Sequence, residues 1–428
     1  MLKSLTAYLK FFIKIKVVSA LRDLFLFYGG KSTERRGWEN RLLVVFLQAI
    51  GDAVVLTSVL KHYRMTFPGK KLYILIPTGK GIDGIVQPFV DEVLLLRYGA
   101  FVANPFYGFS FVNRLRTIGF KTVIDQNHSP AEVSGKSIAN SVGASAVYGY
   151  EGFLLPFERP FDVNMALTVR YVRKSLYPRF TRLVPSADRR AKGKMFNHLI
   201  EHYATFFEAI SGKKDLDYST TLKVNPASQE RVGRILKNER IAPGSYVVVN
   251  PGSSQNWKNW PIERFSKAAA ILETKKIPVV LVGAPGEERL GASFRSRYRG
   301  RCLDLIGRTA IAEIIALIDR ARMVLTNDTS AVHIAVALKR PSIAILGGGH
   351  FGKISLYGYS DINKWVYTET GCFGDNWRCA RDLRGGEVAP CIEAVTVKQV
   401  GDCVAALLEY LSKTRAYPRR AFQASYLS

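Results

Sequence analysis

Short polar side chains stand between an apolar run and a helical pattern in the segment TNDTSAVH, residues 326–333. Oxygens such as those of Asp328, Thr329 and Ser330 cap helices, because they accept hydrogen bonds from the N–H groups of the first turn. Those N–H groups and the positive end of the helix dipole also bind anions. The segment therefore predicts either a capped helix with a core histidine, His333, or an anion site at the start of that helix.

A second polar junction follows the apolar residues of SYVVVNPGSSQNWKNWP, residues 245–261. Ser253 and Ser254 offer hydroxyls beside the backbone N–H groups of a Pro-Gly turn, and Lys258 adds a cation between two tryptophans. Loop N–H groups, hydroxyls and a lysine are typical of a phosphate-binding loop. The alternative is a surface loop in which the tryptophans pack.

Carboxylates occupy two further junctions between strands and helices. Asp52 follows Gly51 in LQAIGDAVVLTS, where it is interpreted as a catalytic base or as an acid that stabilises the helix dipole. Taken alone, the dipole explanation is the better one. Glu287 and Glu288 follow a glycine turn in LVGAPGEERL, where a carboxylate suits either the hydroxyls of a ribose or the start of a helix.

The segment GGGHFG, residues 347–352, matches the glycine pattern of a dinucleotide fingerprint. That fingerprint requires a helix after the glycines and an acidic residue about 20 positions later. The residues KISLYGYSD that follow are a poor helix start. We therefore expect a glycine-rich loop and no nicotinamide site.

The elements that would position these groups form two α/β series. The first has a strand at 41–47, a turn at Gly51 and Asp52, a helix at 54–63 and a strand at 71–76. The second begins near residue 244 and closes with a helix near 397–411. A strand, a helix and a strand in this order indicate a parallel sheet, and ligands of such sheets bind at the carboxyl ends of the strands. The sequence predicts two doubly wound Rossmann-like domains that face a central cleft.

Length and charge limit the classes of function. A chain of 428 residues is too long for one ordinary core, and 47% hydrophobic with 22% charged residues is typical of a globular protein. The net charge of +26 indicates an anionic partner, either nucleic acid, an anionic membrane surface or a phosphorylated substrate. No nucleic-acid-binding signature accompanies the charge, so no nucleic acid partner is expected.

The N-terminal segment, residues 1–38, combines apolar residues at helical spacing with lysines and Arg22. Its charges interrupt any run near the roughly 20 apolar residues that a spanning helix needs, and no cleavage site typical of a signal peptide follows. A basic amphipathic helix on the inner face of the cell membrane is one interpretation. A helix packed on the protein's own core is the other.

The five cysteines are an odd number, which argues against a disulfide framework. Cys372, Asp375, Cys379 and Cys391 lie in one loop at spacings x2, x3 and x11. Three thiolates and a carboxylate are a sufficient ligand set for a structural zinc or iron ion. The spacings match no standard zinc motif, and unliganded thiols are the favoured alternative.

Taken as a series, the motifs of residues 41 to 410 resemble those of glycosyltransferase family 9, the ADP-heptose:lipopolysaccharide heptosyltransferases and their relatives. The segments that show the resemblance are GDAVVLTSVLKHYRMTFPG, NPGSSQNWKNWP, GAPGEE and LIGRTAIAEIIALIDRARMVLTNDTSAVHIAVAL. The resemblance implies a GT-B fold. Its acceptor-binding domain would span residues 39–225 and its nucleotide-sugar domain residues 240–395, with a closing helix and basic tail at 396–428.

The resemblance also implies a role for each site residue. Asp52 would be the base that takes the proton of the acceptor hydroxyl, and Lys258 would neutralise the leaving diphosphate. Ser253, Ser254 and the first turn around Asp328, Thr329, Ser330 and Ala331 would hold that diphosphate. His333 would donate to a phosphate or pack in the helix, and Glu287 would contact the ribose, with Glu288 as the alternative. Because fixed positive groups can replace a metal at the leaving group, no catalytic cofactor is expected.

The implied activity is the inverting transfer of a sugar, heptose from ADP-heptose, onto a lipopolysaccharide core or a related cell-surface glycan. The expected partners are a nucleotide-sugar donor, an anionic glycolipid acceptor and the cytoplasmic membrane surface. Ser330 stands where the family usually has glycine, and LGGGHFGK replaces a G-P-T run, so another nucleotide sugar or acceptor is an alternative. A non-catalytic protein that kept the fold and binds anionic membranes or nucleic acid is a second alternative.

Overall fold

The computed structural model describes two compact α/β units. The described residues are 37–128, 132–151, 182–185, 198–374, 377, 379, 387–414 and 421–423. The predicted N-terminal helix lies outside them. The first unit draws on Met1–Ala49, Leu60–Ala187 and Thr205–Lys214, and the second on Ile50–Val59, Asp188–Ala204 and Asp215–Ser428.

The sheet of the first unit is entirely parallel and has the order β3-β2-β1-β4-β5-β6. Its strands are β1 Arg41–Val45, β2 Lys71–Pro77, β3 Glu92–Leu96, β4 Thr122–Asp125, β5 Ala146–Glu151 and β6 Arg182–Pro185. The register places Val44 beside Ile74 on one side and Ile124 on the other. This order is that of the Rossmann fold.

The main sheet of the second unit is also parallel and has the order β13-β11-β10-β7-β8-β9. Its strands are β7 Val247–Asn250, β8 Val279–Leu281, β9 Cys302–Asp304, β10 Met323–Asn327, β11 Ser342–Ile345 and β13 Asn363–Val366. When these six are numbered along the chain, the order is again that of the Rossmann fold. Two short strands, β12 Gly358–Tyr359 and β14 Phe422–Gln423, pair separately and antiparallel.

Helices connect the strands of both units. Those up to residue 238 are α1 Ile50–Thr66, α2 Asp83–Val86, α3 Tyr98–Ala103, α4 Pro105–Ile118, α5 Glu132–Ser141, α6 Leu199–Ser211 and α7 Pro226–Asn238. Those that follow are α8 Ile262–Ala268, α9 Ala270–Thr274, α10 Glu288–Arg295, α11 Ile311–Asp319, α12 Ser330–Ala337, α13 Pro390–Glu393 and α14 Val397–Lys413.

The central strands are buried almost completely, and this explains their sequences. In β7 and β10 every residue is buried, and in β1 only Arg41 is partly exposed. Strands covered on both faces have continuous apolar runs instead of alternating patterns. Each unit has its own core, built around strands β1, β2 and β4 in the first and β7, β8 and β10 in the second.

The predicted turn at Gly51 and Asp52 is wrong, because helix α1 begins at Ile50 and includes both residues. The first turn of a helix tolerates them, since its N–H groups need no intrahelical partner and an acid there is favourable. The segment IERFSKAAAILETKK forms the two consecutive helices α8 and α9. The predicted strands at 41–47 and 71–76 and the closing helix near 397–411 are confirmed.

Candidate functional site

Helix α12 begins with a side-chain cap at the end of β10. Thr329 is the N-cap residue, and its Oγ1 accepts a hydrogen bond from the Ala331 N–H at 3.3 Å. The Asp328 N–H donates to the Ile345 carbonyl of β11 at 3.0 Å. Two of the predicted anion-binding N–H groups therefore already have protein partners. The N–H groups that an anion would meet are those of Thr329 and Ser330, so capping and anion binding are compatible here.

Asn327, the last residue of β10, joins the two loops that carry the predicted site. Its Oδ1 accepts from the Trp260 N–H at 3.1 Å, and its Nδ2 donates to the Pro251 carbonyl at 2.7 Å. The side chain is fully buried. It fixes both ends of the loop from Pro251 to Trp260, and thereby the place of Lys258. The sequence shows this asparagine only as one more polar residue of the capped strand end.

Lys258 lies in that loop, at the end of a single 3-10 turn, Asn256–Lys258. Its Nζ is 4.7 Å from the ring centre of Trp377. The Ser253 Oγ donates to the Gln255 carbonyl at 2.8 Å, which tightens the turn before the lysine, and Ser254 is exposed. The loop thus presents one cation near the start of helix α12.

Asp52 lies in the first turn of α1, in the part of that helix that groups with the second unit. Burial raises the pKa of the Asp328 carboxyl, the charge of Lys258 opposes that shift, and the charge of Asp52 adds to it. Burial lowers the pKa of the Lys353 ammonium, while Asp52 opposes that shift and Lys258 adds to it. Two carboxylates and two lysines therefore lie within electrostatic reach of one another.

This grouping can both bind an anion and accept a proton. Lysines and the N-terminus of α12 supply positive charge, which favours a phosphate, and a carboxylate beside them can act as a general base. The Asp328 Oδ1 is buried and has no hydrogen-bond partner among the described residues. Lys353 is a site residue that the sequence reasoning missed. The signal available was the unusual GGGHFGK loop, to which it belongs.

His333 is buried in the third position after the start of α12 and reaches helix α1. A methyl group added at Gly51 would lie 2.8 Å from the His333 Cδ2 atom. The His333 Nδ1 lies 2.8 Å from the hydroxyl of Tyr357, which the sequence reasoning also missed. The close approach of the imidazole to helix α1 therefore requires a glycine at position 51, beside Asp52.

The two candidate ribose-binding carboxylates point to different places. The Glu287 Oε2 accepts from the Ala284 N–H at 2.9 Å, and a methyl group added at Gly252 would lie 2.3 Å from the same oxygen. Burial raises the pKa of Glu287, although that hydrogen bond opposes the shift. The Glu288 carboxylate accepts from the Gly286 N–H at 3.0 Å and is exposed to solvent. Only Glu287 adjoins the loop that carries Lys258, which favours it over Glu288.

Two of the predicted cysteine ligands have polar neighbours other than one another. The Cys391 Sγ accepts from the Gly348 N–H at 3.3 Å, and the Cys372 Sγ lies 3.3 Å from the Thr370 Oγ1. Cys379 packs against the core of the second unit. In the described ranges, no group of three or more His, Cys, Asp or Glu side chains could hold a metal ion. The fourth predicted ligand, Asp375, lies outside those ranges, so the four-residue site stays a prediction.

No helix among the described residues has both the length and the apolar composition needed to cross a membrane.

The family model of glycosyltransferase family 9 (heptosyltransferase) matches residues 173–376. Lipooligosaccharide heptosyltransferase 2 of Haemophilus influenzae is 30% identical over 175 residues, which are 37% of this chain and 49% of that protein. The chain thus spans about half the length of this curated relative.

Solved structures share the fold at low sequence identity. A family 9 glycosyl transferase of Veillonella parvula has a TM-score of 0.65 at 15% identity, over 90% of this chain and 100% of its own. The ADP-heptose lipopolysaccharide heptosyltransferase II of E. coli has a TM-score of 0.63 at 16% identity, over 88% and 100%. With two Rossmann-like units, the fold is GT-B, as predicted. In its sequence from residue 173 to 376 and in its fold, the chain is similar to the heptosyltransferases of glycosyltransferase family 9.

Proposed function

We propose that the protein is an inverting glycosyltransferase that transfers heptose from ADP-heptose to a lipopolysaccharide core or a related cell-surface glycan. The observation that carries the proposal is the grouping of Asp52, Asp328, Lys258 and Lys353 beside the N-terminus of α12. A base and a diphosphate site are the two components that such a transfer needs. The names of the relatives, lipooligosaccharide and lipopolysaccharide heptosyltransferases, support the choice of donor and acceptor.

The donor's diphosphate would bind between Lys258 and the N-terminus of α12. The lysine would contribute a charge-assisted hydrogen bond, and Thr329 and Ser330 would contribute backbone N–H groups aligned with the helix dipole. The ribose hydroxyls would donate to Glu287, which adjoins Gly252. Positive groups of this kind stabilise the leaving diphosphate without a metal ion.

Transfer would then begin at Asp52. Its carboxylate takes the proton of the acceptor hydroxyl while that oxygen forms a bond to the anomeric carbon of the donor sugar. The bond between that carbon and the diphosphate oxygen breaks on the opposite face, and its electron pair leaves with the nucleoside diphosphate. One bond forms as one breaks, so the configuration at the anomeric carbon inverts. The Asp328 Oδ1, which has no hydrogen-bond partner among the described residues, would accept a hydrogen bond from a hydroxyl of the bound sugar.

The acceptor we propose is an anionic glycolipid at the cytoplasmic membrane surface, which agrees with the net charge of +26. Residues 1–38 would supply part of the attraction. A chain that lacks residues 1–28 should sediment less with anionic liposomes than the full chain while keeping the same melting temperature. Equal sedimentation of both chains would contradict the proposed role of this segment.

A nucleotide screen tests the donor. ADP, GDP and UDP are added to the full-length protein at millimolar concentration, and the melting temperature is measured. We expect saturable stabilisation by ADP. In the Lys258→Ala variant the affinity for ADP should fall by roughly 10- to 100-fold, because a hydrogen bond to a charged group is worth about 1.5–3 kcal/mol.

A turnover assay tests the reaction as a whole. ADP release from ADP-heptose is measured with isolated membrane glycolipid as acceptor, and without it as a control. Release that depends on the glycolipid supports the proposal. Stabilisation by none of the three nucleotides, or no release with any acceptor preparation, would contradict it.

A further inference from the structure

Tyr357 is a buried tyrosine that lies directly behind His333. Its hydroxyl oxygen is 2.8 Å from the His333 Nδ1, and the two rings stack with centroids 5.7 Å apart and planes inclined by 16°. The ring centroid of Tyr357 lies 5.1 Å from that of His198 and 6.0 Å from that of Phe422. These neighbours fix the ring of Tyr357, so its hydroxyl has one position relative to the imidazole.

Both members of the pair are neutral near pH 7. Burial lowers the pKa of His333 to about 4. Burial raises the pKa of Tyr357 well above its ordinary value, and the charges of Asp328 and Asp52 add to that shift. A neutral imidazole carries one proton, on either Nδ1 or Nε2, and the hydrogen bond of one nitrogen decides the state of the other.

The partner of the phenol decides between the two tautomers. If Nδ1 carried the proton, it would donate to the phenol oxygen, and the phenol proton would need a second acceptor. Among the described residues, the hydroxyl of Tyr357 has no hydrogen-bond partner other than His333. A buried donor without an acceptor is costly, so the phenol donates to Nδ1 and the imidazole proton is on Nε2.

The Nε2 atom faces the start of helix α1. A methyl group added at Gly51 would lie 3.3 Å from it, and Asp52 is the next residue. No hydrogen bond joins this nitrogen to a protein acceptor within the part of the chain that is described. The imidazole therefore presents a neutral N–H donor to the space where the donor substrate is proposed to bind.

We propose that Tyr357 is a positioning residue that holds His333 in the Nε2–H tautomer, so that His333 donates a hydrogen bond to an oxygen of the bound nucleotide sugar. This inference rests on the proposed function for the identity of the ligand, but the tautomer itself does not depend on it. The arrangement supplies a donor of fixed direction without adding a charge to a site that already holds two lysines.

Nitrogen NMR of the free protein tests the tautomer. The six histidines of the full-length chain are labelled with 15N, and His333 is assigned as the signal missing from the His333→Ala spectrum. We expect a protonated-type shift for Nε2 and an unprotonated-type shift for Nδ1. In Tyr357→Phe the two tautomers should mix and both shifts should move together. A proton on Nδ1 in the wild type would overturn the proposal.

A double-mutant cycle tests the link to the ligand, with ADP as the probe in calorimetry. Tyr357→Phe should weaken ADP binding about three- to tenfold, the effect of one lost hydrogen bond. In the His333→Ala background the same change should have no effect, because the tyrosine acts only through the histidine. Equal losses in both backgrounds would show a merely structural role and overturn the proposal.

Tyr359→Phe is the matched control. Tyr359 is also buried, and its ring centroid lies 5.5 Å from that of Phe422. Among the described contacts, it makes no hydrogen bond and no ring contact with His333. It should leave both the His333 spectrum and the ADP affinity unchanged. If wild-type protein does not bind ADP at all, the proposed donor is contradicted, while the NMR spectrum still decides the tautomer.

Discussion

The two sheets place an asparagine at the same topological position. Asn127 follows β4 and Asn327 ends β10, and each of these strands lies beside the first strand of its own sheet, β1 or β7. The Asn127 Oδ1 accepts from the Leu47 N–H at 2.6 Å, and its Nδ2 donates to the Val45 carbonyl at 3.0 Å. Asn327 makes the corresponding pair of bonds to the loop after β7. The same residue type thus joins the same two strand ends in both units.

The surroundings of the two asparagines differ. In the first unit several of the neighbouring polar groups are bonded to each other. The Asp125 Oδ1 accepts from the Asn127 Nδ2, and Gln126 bonds to the hydroxyls of Tyr63 and Tyr150. A methyl group added at Gly135 would lie 2.2 Å from the Asn127 Nδ2, so helix α5 packs directly on this network. Asn127 is therefore bonded to and packed against the protein's own groups.

In the second unit several buried polar atoms near Asn327 have no hydrogen-bond partner among the described residues. They are the Asn250 Oδ1, Trp257 Nε1, Asn259 Oδ1 and Asp328 Oδ1. Unsatisfied buried groups cost about 1–3 kcal/mol each, and they persist where a ligand or water completes them. Identical topology therefore does not make a ligand site. Gln126 bonds to two tyrosine hydroxyls at the first strand end, whereas Asn250 and Asp328 each keep an oxygen without a hydrogen-bond partner at the second.

The first test concerns Asp52, the proposed base of the site in the second unit. Asp52→Asn should reduce transfer by roughly 100- to 10,000-fold, because the amide cannot accept the acceptor's proton. ADP affinity should stay within about threefold, since the amide keeps the shape of the carboxylate and removes one negative charge near the diphosphate. Steady-state turnover and calorimetry measure the two quantities. Transfer at the wild-type rate would move the base to another residue.

The second test exchanges the two asparagines for alanine separately. Each change leaves a buried N–H and a buried carbonyl without a partner, so each should lower the free energy of unfolding by about 2–4 kcal/mol. Only Asn327→Ala should also weaken ADP binding, because it releases the loop that carries Lys258. Asn127→Ala is the matched control for the loss of an asparagine at this position. If both variants bind ADP like the wild type, the loop does not depend on Asn327.

The third test fills the space between Gly51 and His333. Gly51→Ala should lower the free energy of unfolding by about 1–3 kcal/mol, because the new methyl group would lie 2.8 Å from the imidazole, which must shift. Gly401→Ala in helix α14 is the control, since a methyl group there meets no atom within 4 Å. That change should stabilise by up to about 1 kcal/mol. Chemical denaturation of both variants measures whether the free energy of unfolding falls in one and rises in the other. Stabilisation by both changes would show that His333 can move aside without a loss of stability.

Much of this arrangement was predictable from the sequence, because its signals are local. The apolar runs of β1, β7 and β10 identify buried parallel strands, and glycine, proline or short polar residues follow them. The motifs with Asp52, Lys258 and Asp328 are also visible in the sequence, because each follows one of these apolar runs. The second parallel sheet is likewise confirmed, since its strands and helices alternate along the chain in the way that requires parallel pairing.

The contacts that the sequence did not reveal join residues far apart in the chain. Tyr357 lies in a segment of turns without periodicity, 24 residues after His333, and nothing local marks it as the partner of that histidine. The sequence predicts a later start for α1, because glycine usually breaks helices, whereas Gly51 leaves room for the close approach of His333. The role of Asn327 depends on which strands are neighbours, which is a property of the sheet.

The smallest expected effect concerns acid, and it separates the two units. Burial lowers the pKa of His333 to about 4 and that of His202 to about 3, and both belong to the second unit. Below the ordinary value of 6.5 the unfolded chain binds protons at these histidines and the folded chain does not, so stability falls as pH falls. The raised pKa values of Asp328 and Glu287 act in the opposite sense and oppose this loss at lower pH. Between pH 6.5 and 5.5 each histidine should lower the free energy of unfolding by about 1 kcal/mol.

Chemical denaturation at both pH values measures the summed loss of stability, and His333→Gln should remove about half of that loss. Hydrogen exchange at pH 5.5 should then accelerate in β7 and β10 before β1 and β4. Equal acceleration in both sheets would show that the acid response is not confined to the unit that holds His333 and His202.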